Sequence, residues 1–201
     1  MLGFLTPSYI LTIFVVLFSL VVHEYAHALA ADLQGDKTAR LNGRLTVNPL
    51  AHLDFLGIIM ILLVGIGWAQ PVPINMNNFR RPRLSFIISV AAGPASNFIL
   101  AVLSYFALSF VSYSSPMLNL LSIIGGVNVS LFLLNIIPLP PLDGSQILRH
   151  LLPYRQALAY SKLDTYGPFI LLLLFIVPQF RNLIFGDVAQ ALSSWIWSWF
   201  G

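Results

Sequence analysis

The sequence predicts an all-α membrane protein: a polytopic helical bundle of about four to six membrane segments, one of them re-entrant, with a small membrane-associated β-hairpin or extended region. Three observations predict it. Of 201 residues, 58% are hydrophobic and 8% charged, against about 25% charged in soluble domains. Apolar runs of spanning length recur along the chain. The polar stretches between them carry the basic residues.

Composition also excludes. There is no cysteine, so disulfides, iron–sulfur clusters and thiolate metal sites are ruled out, and any metal must be held by His, Asp or Glu. The net charge of +3 comes from few charges gathered in loops. They report membrane topology and give no basis for nucleic-acid binding. The length suits one integral-membrane domain over residues 1–201, with a core of about 8–150 and C-terminal helices of about 165–201.

The first helix is expected over about residues 8–31. No basic n-region or small-residue cleavage site precedes it, so it is expected to be retained. Residues 32–54 are polar, with Lys37, Arg40 and Arg44, and Gly35 and Gly43 as turn signals. Their middle, RLNGRLTVN, alternates polar and apolar residues about Asn42-Gly43 and predicts a β-hairpin. The apolar run 55–69 is about 15 residues, short of the roughly 20 that a span needs. Next, QPVPINMNNFRRPR holds alternate prolines and three arginines, so it is extended.

Two further helices are expected at about 84–112 and 117–137, the second broken by Pro138, Pro140 and Pro141 just before Leu142-Asp143-Gly144. An apolar stretch at 168–177 is interrupted by Pro178 and Arg181. In the tail, 187–200, Val188, Leu192, Trp195 and Trp199 share a stripe expected of an interfacial helix.

Basic residues set the orientation. None precedes the first helix and three follow it, so its C-terminal end is expected in the cytoplasm. Arg80, Arg81 and Arg83 want the same side, which requires that 55–69 enter and return, or lie embedded, without crossing. Asp143 then emerges on the side of His23 and His27.

Those residues are the chemical centre of the chain. In the apolar stretch FVVLFSLVVHEYAHALAA, residues 14–31, His23 and His27 lie one helical turn apart on one face, a spacing that suits a shared metal ion. Glu24, the chain's only glutamate, lies about 100° round the helix from His23, where it could hold a water as general base. Three ionisable residues in such a setting are expensive. A catalytic zinc usually has three protein ligands and an open position. Asp143 is the strongest candidate for the third, at a proline-broken helix end, although Asp-Gly also serves as a simple helix-end turn.

His23-Glu24-Tyr25-Ala26-His27 followed by NIIPLPPLDG, with Asn135, Pro138, Leu142, Asp143 and Gly144 in the pattern N-x-x-P-x-x-x-L-D-G, resembles the site-2 protease family of intramembrane metalloproteases, peptidase family M50. GRLTVNPLAHLD, GWAQPVPIN and AAGPASN, the last ending at Asn97, resemble its compact bacterial and archaeal branch, which has no PDZ or CBS module. The resemblance implies one Zn2+ per chain bound by His23, His27 and Asp143, with Glu24 activating the water. It implies a multi-pass enzyme of the plasma membrane, active on the cytoplasmic side, that cleaves transmembrane proteins or peptides within the lipid bilayer. Asn135 is then a candidate to position substrate or an oxyanion, and Asn97 to pack beside the site or bond between helices. His52 is a candidate for the edge of the site, and His150 is an interfacial histidine.

A helical substrate must unwind, because lipid punishes exposed backbone groups. The extended stretch 70–75 could accept the unwound strand along Val72 and Ile74, with the intervening prolines limiting which positions donate. A competing class is a metal or ion transporter with the same His and Asp ligands. That function would not need Glu24 and would want ligands strung along a path. A catalytically inactive scaffold is disfavoured by the intact His, Glu and Asp set.

Overall fold

The computed structural model describes residues 6–52, 54, 57, 59, 69–112 and 115–200. It is mostly helical, with no sheet among the described residues. Helix α1, Pro7–Leu33, starts at a Thr6 cap whose hydroxyl accepts from the Tyr9 amide, with Pro7 in the first turn. After a short α2, Thr38–Leu41, come α3, Pro82–Leu108, and α4, Pro116–Ile136, each opened by a proline. α1, α3 and α4 are each long and apolar enough to cross a membrane. They pack together with α3 between the other two. The rest is shorter: α5, Asp143–Leu151; α6, Tyr154–Tyr160; α7, Leu163–Ile176; α8, Pro178–Asn182; a π-helical turn, Leu183–Val188; and α9, Ala189–Trp197. α6 and α7 are bent by 50° at their junction and together have the length and apolar character of a broken fourth span or a re-entrant loop.

The bundle is sorted as lipid demands. Phe14 and Phe18 on α1 and Ile99, Leu103 and Phe106 on α3 are exposed. Ser19, His23, Glu24, His27, Ser89, Asn97, Ser104 and Asn128 are buried between helices. Hydrocarbon offers polar groups no partner, so they face one another.

One expectation changes on folding. The hairpin about Asn42-Gly43 is absent. Thr38–Leu41 is helical instead, and Gly43, at φ +67°, ends that helix as its amide donates to Arg40 O and Arg44 N donates to Ala39 O. Asn-Gly suits a left-handed helix stop as well as a hairpin turn, and here an acid decides: Asp36 accepts from the Thr38 amide and hydroxyl and so holds the start of the helix. The tail presents two faces. Ala189 and Ile196 are buried against Ala101, Tyr105 and Val129, while Val188, Trp195 and Trp199 remain substantially exposed. The small face of α9 lets it lie close on α3 and α4.

The apolar run 55–69 lies almost wholly outside the described residues. Its flanks do not: the Gln70 amide donates to His52 O at 2.7 Å. The chain therefore returns to the point it left. The Gln34 side chain, donating to Ser85 O and Ser89 Oγ, joins the end of α1 to the start of α3 at the same end of the bundle. Asp32 accepts from both Arg40 and Lys37 there.

Candidate metal centre

Helical spacing brings His23 and His27 to one face of α1, with ring centroids 4.6 Å apart and planes perpendicular. Asp143 arrives from α5. It is the first residue of that helix, where the unpaired amides favour an anion. Gly144 makes this approach possible: a Cβ there would stand 2.3 Å from Ile136 O, so only glycine lets α5 start directly against the end of α4.

The three side chains meet closely. His23 Nε2 and His27 Nε2 are 3.0 Å apart, and Asp143 Oδ2 lies 3.0 Å from the first and 3.3 Å from the second. All three residues are at least nine-tenths buried. Each imidazole already has an acceptor on its far side: His23 Nδ1 donates to Asn97 Oδ1 at 2.7 Å, and His27 Nδ1 to Ser89 O at 2.9 Å. With Nδ1 as the donor on its far side, each imidazole leaves Nε2 to face the other ring and a carboxylate oxygen that accepts no well-aligned hydrogen bond.

Three converging nitrogen and oxygen atoms make a set that could hold a metal ion. Bonds of about 2.0–2.2 Å to a tetrahedral zinc put donors roughly 3.3–3.6 Å apart, a few tenths of an ångström wider than the separations here. The set of two imidazoles and one carboxylate matches zinc's preferences. Gly93 on α3 faces the rings, and a Cβ there would lie 2.3 Å from His27 Nε2 and 2.7 Å from His23 Nε2.

A family model described as peptidase family M50 matches residues 11–117 and 111–177. The chain belongs to peptidase family M50. This M50 chain is 40% identical over 183 residues to "Putative zinc metalloprotease YwhC" of Bacillus subtilis, covering 87% of its own length and 82% of that protein. It is 33% identical over 182 residues to "Putative zinc metalloprotease Rip2" of Mycolicibacterium smegmatis, covering 84% and 68%. A Mycobacterium tuberculosis protein of the same name is 31% identical over 181 residues, covering 86% and 69%. No solved structure matches it.

The remaining candidates of the M50 chain fall into two groups. Asn97 touches the centre through His23. Val72 does so through Glu24: its amide donates to Glu24 Oε2 at 3.0 Å, tying the extended stretch to the only glutamate. Two other amides of that stretch are engaged, Gln70 by His52 O and Asn75 by Asp36 Oδ2, while Arg44 donates to the carbonyls of Gln70 and Pro71. Burial opposes the charge on Asp36, but donors from Thr38, Asn78 and Asn75 outweigh it and hold its carboxyl below the usual range.

Among the described residues, no hydrogen bond joins the others to the centre. Ile74 packs against Phe79, Phe86 and Val90. His52 is fully buried, with Nε2 on Thr46 O. The Asn135 amide donates to Leu131 O one turn back on α4. His150 stacks on Phe86 with ring centroids 4.3 Å apart. Sequence reasoning missed Ser89 and Asn128. Ser89 acts through a backbone carbonyl, which has no sequence signature. Asn128 is an amide in an apolar helix, and the reasoning that singled out Asn97 applies to it equally.

Proposed function

We propose that this zinc metalloprotease is an intramembrane endopeptidase that hydrolyses peptide bonds within transmembrane segments of other membrane proteins, as in regulated intramembrane proteolysis. Membership of M50, and relatives named as zinc metalloproteases, support the reaction class. The observation that carries the proposal is the buried meeting of His23, His27 and Asp143 among membrane-spanning helices, one residue from Glu24.

In this reading His23 Nε2, His27 Nε2 and Asp143 Oδ2 hold the zinc. Bound zinc supplies a water of lowered pKa and polarises the scissile carbonyl. Glu24 takes the water's proton on Oε1, since Oε2 is engaged by Val72, and passes it to the departing amine. A compact donor cluster with an adjoining carboxylate suits hydrolysis better than ion transit, which needs sites along a path. The extended stretch remains the best candidate to receive an unwound substrate.

The site is proposed to face the cytoplasm, in the plasma membrane. Support comes from the basic residues at Lys37, Arg40, Arg80, Arg81 and Arg83 and from the meeting of His52 with Gln70.

The test is cleavage of single-span substrates by purified protein in detergent, with and without a chelator. About one zinc per chain is expected, lost in His23→Ala and Asp143→Ala. Glu24→Gln should keep zinc while cleavage falls by about 10²–10⁴-fold. Near-normal cleavage by Glu24→Gln, or indifference to chelation, refutes the proposal.

A further inference from the structure

We propose that Asn128, a residue of α4 two hydrogen bonds from the metal centre, is a positioning residue that fixes which nitrogen of His23 is free to bind metal. The inference deepens the metal-ligand reading and rests on it. His23 can offer Nε2 only if its proton sits on Nδ1, and Nδ1 keeps the proton only while Asn97 presents an oxygen to it at 2.7 Å. The two ends of an amide are nearly the same shape. Nothing in the packing of Asn97 alone forbids the flipped form, which would aim an N–H at Nδ1 and drive the proton to Nε2.

The next residue along decides. Asn97 Nδ2 donates to Asn128 Oδ1 at 2.9 Å. The Asn128 amide is oriented in turn, because its Nδ2 donates to Ile124 O and to Ser19 Oγ, each at 2.9 Å. A backbone carbonyl can only accept. Ile124 O therefore forces the nitrogen of Asn128 toward itself and its oxygen toward Asn97. That in turn forces Asn97 oxygen toward His23, and the His23 lone pair toward the metal. Direction passes from one carbonyl through two amides to the ligand.

His27 obtains the same result in one step from Ser89 O. Ser19, Asn97 and Asn128 are fully buried and His23 nearly so, leaving little room for water to substitute for a missing partner. Ser19 is a hydroxyl that can donate or accept, so it follows the chain's direction without setting it.

The experiment uses full-length protein in detergent micelles with 15N-labelled histidine. In the metal-free wild type, at a pH high enough to keep the ring neutral, 15N shifts should report His23 as the Nδ1–H tautomer. In Asn128→Leu, of similar size but with no acceptor, a substantial Nε2–H population should appear. Zinc affinity measured by chelator competition should fall roughly 10–100-fold, the range found when outer-shell partners of ligands are lost. Asn128→Asp keeps an acceptor toward Asn97 whether neutral or ionised, and should retain the wild-type tautomer. Ser19→Ala should change zinc affinity by less than threefold.

A wild-type His23 tautomer in folded Asn128→Leu overturns the proposal. If that variant fails to fold, an Nε2–H tautomer in Asn128→Asp overturns it equally. The tautomer is read without metal. Failure of the ligand assignment would instead be seen as zinc retained by His23→Ala.

Discussion

Gly93→Ala tests the metal centre through a residue that is neither ligand nor base. The added methyl would stand 2.3 Å from Cε1 and Nε2 of His27 and 2.7 Å from Nε2 of His23, where ordinary contact begins at 3.4 Å. Something must retreat by about 1 Å, and the ring of His27 has nowhere to go. Its Nδ1 is held by Ser89 O, one turn earlier on the same helix as Gly93, so moving α3 away breaks that bond as well. Metal sites tolerate displacements of about 0.2 Å. The variant should therefore bind zinc at least roughly 100-fold more weakly, while overpacking costs the fold about 1–3 kcal/mol. Zinc content after equilibration against a graded chelator gives the first quantity. Thermal melts of the metal-free proteins give the second and separate the two effects. Zinc affinity within threefold of wild type would refute the geometry of the centre.

Three further predictions follow from the loops. Val72→Pro removes the amide that holds Glu24, so zinc content should be unchanged while cleavage falls. If the stretch also clamps substrate, a helix-destabilised substrate should be less affected than a stable one, whereas equal losses would confine Val72 to orienting Glu24. Cleavage of a stable helical substrate at the wild-type rate would remove Val72 from both roles. Cysteines at positions 37, 81 and 155 should be labelled from the cytoplasmic side and one at position 114, outside the described residues, from the other, and outside labelling at 81 would show that the run 55–69 crosses the membrane and overturn the proposed topology. The lowered carboxyl of Asp36 contributes stability that is present above the ordinary carboxylate pKa and is lost as pH falls through its lowered value. Asp36→Ala should therefore lower the melting temperature at neutral pH by an amount that shrinks in acid, and a pH-independent difference would show that its charge is not what anchors Asn75.

The sequence by itself determined the membrane class, the spanning helices and three candidates that the fold brings together, His23, His27 and Asp143. Each of those is a local property. Hydropathy follows from composition along the chain, the apposition of His23 and His27 from helical period, and the break before Asp143 from prolines that cannot continue a helix. What the tertiary structure decided was every relation between distant segments. Asn42-Gly43 carries the same turn chemistry whether it closes a hairpin or stops a helix, and only the acid of Asp36 ahead of it selected the second. The buried face of α9 depended on which side of it α3 and α4 would occupy, and a periodic stripe cannot say that. Gly93 read as a small residue for close packing, yet what it packs against is the pair of imidazoles that meet Asp143. The extended stretch showed prolines and spacing in the sequence, but not that its Val72 amide would find Glu24 from 48 residues away. In each case a local pattern fixes what a residue can do, and only packing in three dimensions chooses its partner.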